Sequence, residues 1–274
     1  YKTALIMLWA FTMIPIPQSM DIRGWSETNP LNGPAWSLQW EYLANFLYAV
    51  LFRHFSRKAL TACVAVFGIM TLVLCLNVDV FGFLAARDYA AYTVVGGWSL
   101  TPDQLQIGLT RLLYPFFCGL LLSRTGRLIK VKGGFWWCSA MIVVLLGMPW
   151  MGMGAEGGAR WTNGLYEAVC ILIFFPLIVS IGAGSSVKGS TSESINKFLG
   201  DISFPLYITH YPLVYMQMAW VENHKNAPLG THVFVAAATF LLAVFIAYAA
   251  YRLYDIPVRE WLKNKLFKPA HKQI

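Results

Sequence analysis

Apolar runs long enough for a lipid bilayer recur along the whole of this chain. Eight can be marked, at roughly 3–17, 36–52, 59–77, 105–123, 135–153, 165–183, 198–220 and 232–254. A membrane-spanning helix needs about 20 mostly apolar residues, and in hydrocarbon a helix satisfies its own backbone polar groups. The expected fold class is therefore all-α, a polytopic transmembrane helical bundle with about eight membrane-spanning helices. The first run is short, closed by Pro15 and Pro17.

Composition agrees. Of the 274 residues, 57% are hydrophobic and 12% charged, against roughly 25% charged in an ordinary soluble domain. The formal charge of +8 does not point to nucleic acid, because its basic residues sit in blocks between apolar runs, which is the orientation signal of a membrane protein. Alternate connections are rich in them: Arg53, Arg57 and Lys58; Arg124, Arg127, Lys130 and Lys132; Lys188 and Lys197; then Arg259, Lys263, Lys265, Lys268 and Lys272. The intervening ones hold only Arg23, Arg87, Arg160 and Lys225. This alternation supports all eight spans and predicts that both ends of the chain are cytoplasmic. The sequence opens on Tyr1 rather than Met, and an N-terminally incomplete chain is expected.

Cys63, Cys75, Cys118, Cys138 and Cys170 lie inside apolar runs without a C-x-x-C pair, so they are expected to be buried and free. His54, His224, His232 and His271 lie in or near loops, and no H-E-x-x-H or Gly-x-Ser-x-Gly pattern occurs. Neither a metal site nor a serine-hydrolase elbow is expected.

Polar residues inside the spans narrow the function. The stretch 29–50 has a turn-rich approach and then an apolar helix with Ser37, Glu41 and Asn45 at intervals of four, which places them on one face. A carboxylate within a span is a functional-site hypothesis by default. Glu41 falls roughly 7–8 Å below the outer end of its helix at 1.5 Å per residue, and Arg111 falls at a comparable depth, so the two are candidates to pair. The alternative is that Arg111 snorkels to the interface while Glu41 bonds locally. The seventh run carries Ser203, Tyr207, His210 and Tyr211 on one face, with Pro205 and Pro212 to bend it. His210 either lines a polar cavity or bonds to a neighbouring helix. Glu167 is expected at the interface, and the stretch 255–259 is expected to stop the last helix. The outward connection 77–104 reads equally as a lid or re-entrant piece and as an irregular surface loop.

Four stretches carry a resemblance. Pro34-Ala35-Trp36-Ser37-Leu38-x-x-Glu41, Arg111-x-x-Tyr114-Pro115-Phe116-Phe117-x-Gly119, Gly200-Asp201-Ile202-Ser203-Phe204-x-Leu206-Tyr207-x-x-His210-x-Pro212 and Tyr254-Asp255-x-Pro257-x-Arg259 are similar, in this order, to motifs of the acyltransferase-3 family of integral-membrane O-acyltransferases. Asp255 stands where that family usually has Glu. The resemblance covers nearly the whole chain and implies a single transmembrane acyltransferase domain over 1–274, with a basic cytoplasmic tail at 255–274.

It further implies transfer of an acyl group, commonly acetyl, from cytoplasmic acyl-CoA to a sugar hydroxyl of a cell-surface or secreted glycan, in a bacterial inner membrane. Acyl-CoA would be a substrate, with no bound cofactor, and the partners would be the glycan acceptor and the lipid bilayer. The family has about ten spans, so two are expected ahead of Tyr1, among them the one with the Arg-then-His element that supplies the base. The chain by itself is then expected to be inactive. Glu41, Arg111 and His210 are the catalytic candidates; Trp36, Ser37, Asn45 and Tyr207 are the substrate-binding ones. Two other readings remain: a polytopic transporter or proton-coupled carrier, although no inverted repeat is visible, and a truncated inactive homologue.

Overall fold

A computed structural model describes residues 1–84, 90–152, 159–187 and 189–266. Arg87 and Asp88 of the 77–104 connection, Met153, Glu156, Lys188, Lys268, His271 and Lys272 lie outside the described residues. Among those described, every regular element is helical. Eight continuous rods coincide with the eight apolar runs: α1 (Lys2–Ala10), α2 (Trp36–Val50), α3 (Arg57–Cys75), α4 (Pro102–Thr125), α5 (Gly134–Gly147), α6 (Trp161–Gly184), α7 (Ser190–Asn223) and α8 (Leu229–Leu266).

Four rods, α3, α4, α6 and α8, are long and apolar enough to cross a membrane by length and composition, and α5 is a shorter apolar helix. Their exposed residues include Phe234, Phe240, Leu241 and Phe245 on α8, a surface suited to lipid rather than water. The protein is a multi-pass membrane protein.

Helix ends follow local chemistry. After α1 the chain turns at Met13, which has φ 58°, and Pro15 and Pro17 prevent the helix from resuming. The Ser56 hydroxyl accepts from the Ala59 N–H at 3.2 Å and caps α3. Pro102 sits in the first turn of α4, and Gly126, at φ 64°, closes it in the left-handed region. This is the usual asymmetry of proline at helix starts and glycine just past their ends.

Two compact units divide the chain, 1–188 and 189–274. In the first, α3 packs along α4, with the Phe67 and Phe117 rings 5.1 Å apart. At the far end of α4, Arg124 donates to the carbonyls of Arg53 and Phe55. These bonds hold the turn after α2 beside the end of α4, so α2 and α4 run in the same direction. Helix α5 joins α6 through Cys138, Ile178 and Ile181, while the Ser180 and Ser185 hydroxyls accept from the N–H groups of Ile129 and Val131. In the second unit α7 and α8 form a helical pair. Ile202 and Pro205 on α7 and Ala243 and Ala247 on α8 are buried, and Phe198 meets Tyr248 at 6.1 Å.

Both α6 and α8 contain one π turn, at Cys170–Phe174 and Tyr251–Asp255, and each is followed two residues later by a proline, Pro176 and Pro257. A helical proline removes a hydrogen bond and crowds the carbonyl four residues back; a π turn widens the helix at that point. The stop expected at 255–259 is therefore not one. The rod passes through its π turn and continues to Leu266, with Arg259 Nε on Asp255 Oδ1 at 2.8 Å.

Candidate active site

The polar stripe of α2 faces α4 across a cleft of about 510 Å³. Trp36, Ser37, Trp40, Glu41, Ala44 and Asn45 form one wall, at the spacing of a single helix face. Gly108, Arg111, Leu112, Pro115 and Phe116 form the other. The helices approach closely because residue 108 has no side chain: a Cβ there would stand 2.5 Å from the Trp40 indole. That contact sets the register which puts Glu41 and Arg111 in the same cleft.

The expected salt bridge between them is not formed. Among the described residues, ion pairs join Arg23 to Glu27, Lys225 to Glu222 and Arg259 to Asp255, and none joins Glu41 to Arg111. Arg111 donates instead from Nη1 to the Gly96 carbonyl at 2.7 Å, and its guanidinium carbon lies 4.8 Å from the centre of the Trp36 ring. Backbone bond and cation–π contact orient the group. The Asn45 amide donates to the Glu41 carbonyl oxygen at 2.9 Å, which leaves the Glu41 carboxylate exposed along the cleft.

Gly96 belongs to the 77–104 connection, whose described part is a strap laid against α2 and α4. Trp40 Nε1 donates to the Gly97 carbonyl at 3.1 Å, and the Gly97 N–H donates to Gln104 Oε1 at 2.7 Å. Gly97 has φ +105°, and a Cβ on it would come within 2.7 Å of the Trp36 ring, so only glycine satisfies both the backbone angle and the space. Farther along, the Trp98 carbonyl accepts from the Thr28 N–H at 2.8 Å, and the Ser99 hydroxyl accepts from Gln18 Nε2 at 3.0 Å. The turn-rich approach to α2 is thereby tied down, with Thr28 and Asn29 buried.

The other side of the strap is held by α6. Glu167 Oε2 accepts from the Val94 N–H at 2.7 Å, and Oε1 accepts from Asn163 Nδ2 at 2.9 Å. That same amide reaches the Tyr92 carbonyl at 3.1 Å. Glu167, expected at the interface, thus belongs to the apparatus that aims Arg111, and sequence reasoning missed it. The signal was present: Asn163 and Glu167 stand four apart on one helix, as Ser37 and Glu41 do.

Tyr207 and His210 belong to the second unit, on α7. Their rings lie 6.2 Å apart, and His210 meets Tyr211 edge-on at 5.6 Å. His210 Nδ1 lies 2.9 Å from the Leu206 carbonyl and 3.0 Å from that of Tyr207, so it bonds its own helix rather than a neighbouring one. Two carbonyls facing Nδ1 assign a proton to that nitrogen.

The glutamate, oriented arginine, hydroxyl and indole gathered in this cleft, Glu41, Arg111, Ser37 and Trp36, stand at positions of the first two motif stretches. A family model for an acyltransferase domain matches residues 2–252, across both units. The chain belongs to the acyltransferase-3 family. Neither a curated protein nor a solved structure matches it. Within this acyltransferase the first two motifs build the cleft, the third supplies the α7 face with Tyr207 and His210, and the fourth, beyond the matched residues, covers the last two residues of the α8 π turn and the start of the helical turn after it.

Proposed function

We propose that this acyltransferase moves an acyl group from acyl-CoA to a sugar hydroxyl of a cell-surface or secreted glycan, acetyl being the group the family resemblance implies. The observation that carries this reading is the facing of Glu41 and Arg111 across one cleft, with the arginine already oriented by the strap. In the reaction the hydroxyl oxygen attacks the thioester carbonyl, its proton passes to a base, and the ester forms as the CoA thiol leaves. Glu41 accepts the hydrogen bond of the attacking hydroxyl or orients the base. The fixed positive charge of Arg111 stabilises negative charge on the acyl donor. Trp36, Ser37 and Asn45 contact the acceptor in the cleft, and Tyr207 and His210 are the substrate-contacting candidates of the second unit. The alternation of basic connections supports both ends of this chain being cytoplasmic, and the family resemblance implies a bacterial inner membrane.

The test is release of CoA thiol and transfer of label from radiolabelled acetyl-CoA to an envelope glycan mixture, in membranes carrying the full-length enzyme with the Arg-then-His span expected ahead of Tyr1. Glu41→Gln is expected to lower turnover by about a hundredfold or more, with insertion unchanged. Full turnover in that variant, or no thioester consumption by the wild type, would refute the assignment.

A further inference from the structure

The inner ends of the two helices that build the cleft carry an unbalanced charge. Arg124, in the last turn of α4, donates to the carbonyls of Arg53 and Phe55 and so joins the connection after α2 to the one after α4. The first presents Arg53, Arg57 and Lys58, the second Arg127, Lys130 and Lys132, all exposed. No Asp or Glu stands between Glu41 and Asp79 or between Asp103 and Glu156, so neither connection has an acidic residue of its own. Membrane orientation does not require this, because Lys and Arg set it and Asp and Glu contribute little; the connection 184–197 contains Glu193, and Arg259 is paired with Asp255. Helix stability does not require it either. Arg57 and Lys58 occupy the first turn of α3, the end where the macrodipole disfavours positive charge. The backbone that carries Lys130 and Lys132 is fixed, since the Ile129 and Val131 N–H groups donate to the Ser180 and Ser185 hydroxyls. It also lies close against α6, where a Cβ on Gly184 would stand 2.4 Å from the Ile129 carbonyl oxygen.

Cations gathered without acidic neighbours suit a ligand with several phosphates, and acyl-CoA has a 3′-phosphate and a diphosphate on its nucleotide. We infer that the joined connections 53–58 and 124–132 bind the nucleotide phosphates of the acyl donor on the cytoplasmic side. This rests on the acyl-transfer reading above and adds the seat of the donor's nucleotide to it. The spacing agrees: Arg124 lies thirteen residues past Arg111 on one helix, about 20 Å at the helical rise, and an extended pantetheine arm is of that length. The nucleotide stays at the inner end of α4, its thioester reaches Arg111 near the outer end, and the acceptor hydroxyl meets it from the Glu41 side. Anionic lipid headgroups would meet the same cations, but a lipid gives no reason for the distance to Arg111.

The experiment uses opened membranes carrying the full-length enzyme and compares kcat/KM, by thiol release, for acetyl-CoA and for acetyl-pantetheine, which lacks the nucleotide. The wild type is expected to prefer acetyl-CoA. Arg57→Gln with Lys58→Gln, and Lys130→Gln with Lys132→Gln, should each lower the ratio of acetyl-CoA to acetyl-pantetheine use about tenfold, the scale of hydrogen bonds to charged groups. Lys225→Gln, in an outward connection and paired with Glu222, should not move the ratio. A second measurement needs no turnover: adenosine 3′,5′-bisphosphate should slow the labelling of Lys58→Cys and Lys130→Cys by a thiol reagent and leave that of Val80→Cys unchanged. A ratio unmoved by either pair, equal losses with both thioesters, or cysteines that the bisphosphate does not protect would overturn the nucleotide site and leave acyl transfer standing. So would a loss present in vesicles containing phosphatidylglycerol and absent in phosphatidylcholine alone, which would make the patch a lipid contact. If the wild type consumes neither thioester, the acyl-transfer reading fails and the nucleotide site falls with it.

Discussion

Arg111 donates to the Gly96 carbonyl and lies over the Trp36 ring, contacts that orient it without Glu41. In the resting protein the two residues are not an ion pair, and any coupling between them runs through whatever lies in the cleft. A double-mutant cycle separates the two situations. For stability, Glu41→Gln and Arg111→Met are expected to add within about 0.5 kcal/mol, as independent sites do. For kcat/KM, the double mutant is expected to lose less than the sum of the single losses, because both act on one reacting group. Additive losses in kcat/KM would show that they serve separate steps. Gly97 is the other residue on which the cleft depends. Gly97→Ala combines a left-handed φ, costing about 1–3 kcal/mol, with a clash against Trp36. It is expected to lower turnover more than the substitution of any single strap side chain, and a variant with wild-type kinetics would show that the strap does not aim Arg111.

At the scale of elements, the π turns and the strap were not legible, whereas the helices were. An apolar run announces a helix because each residue adds to one signal, and the eight rods lie where the runs do. A π turn depends on how a proline's lost hydrogen bond is resolved, and the resolution is tertiary: Leu172 finds its donor in Tyr114, on another helix. Tyr114→Phe removes that donor and is expected to cost about 1 kcal/mol, seen as a lower thermal midpoint in detergent. The strap reads as a loop because the Gly96 and Gly97 carbonyls, which do its binding, have no side-chain signature. The polar stripe Ser37, Glu41 and Asn45 was legible as a face, but the partner it meets was set by the Trp40–Gly108 contact.

A pH response belongs at the same scale, in the turn before α2. Burial pushes the Asp21 carboxyl up, yet the N–H groups of Arg23, Ser26, Gly24 and Trp25 outweigh it and hold the group below its ordinary 3.8. Burial pushes the Glu27 carboxyl above its ordinary 4.5, with Arg23 pulling the other way. The signs differ. Stability from the depressed Asp21 is complete above pH 3.8 and is lost as pH falls through its folded value. The charged Glu27 carries a cost at neutral pH that protonation relieves as pH falls through its raised value towards 4.5. Hydrogen exchange in peptides covering 21–27, corrected for intrinsic rates, should therefore show protection rising slightly on mild acidification and falling below about pH 3.8. Asp21→Asn should remove the fall.

For the whole molecule, the order of charges along the chain is the strongest constraint, and it concerns which side of the membrane each connection faces. The bonds from Arg124 to the carbonyls of Arg53 and Phe55 give the two basic connections after α2 and α4 a common side. Strap and approach share another contact, from Thr28 to Trp98. These pairings agree with an alternating parse, in which α2 and α4 are parallel. The absolute orientation rests on the excess of Lys and Arg in cytoplasmic loops. Single cysteines at exposed positions test it: Lys58→Cys and Lys130→Cys in the basic connections, Val80→Cys and Leu100→Cys in the others. The native cysteines all lie within helices, so their labelling, measured in the parent protein, sets the background. In intact cells a membrane-impermeant thiol reagent should label Val80→Cys and Leu100→Cys and spare Lys58→Cys and Lys130→Cys until the membrane is opened. Labelling of the Lys58 and Lys130 variants in intact cells would invert the protein, and would move the strap and its arginine to the face of the membrane where acyl-CoA is made.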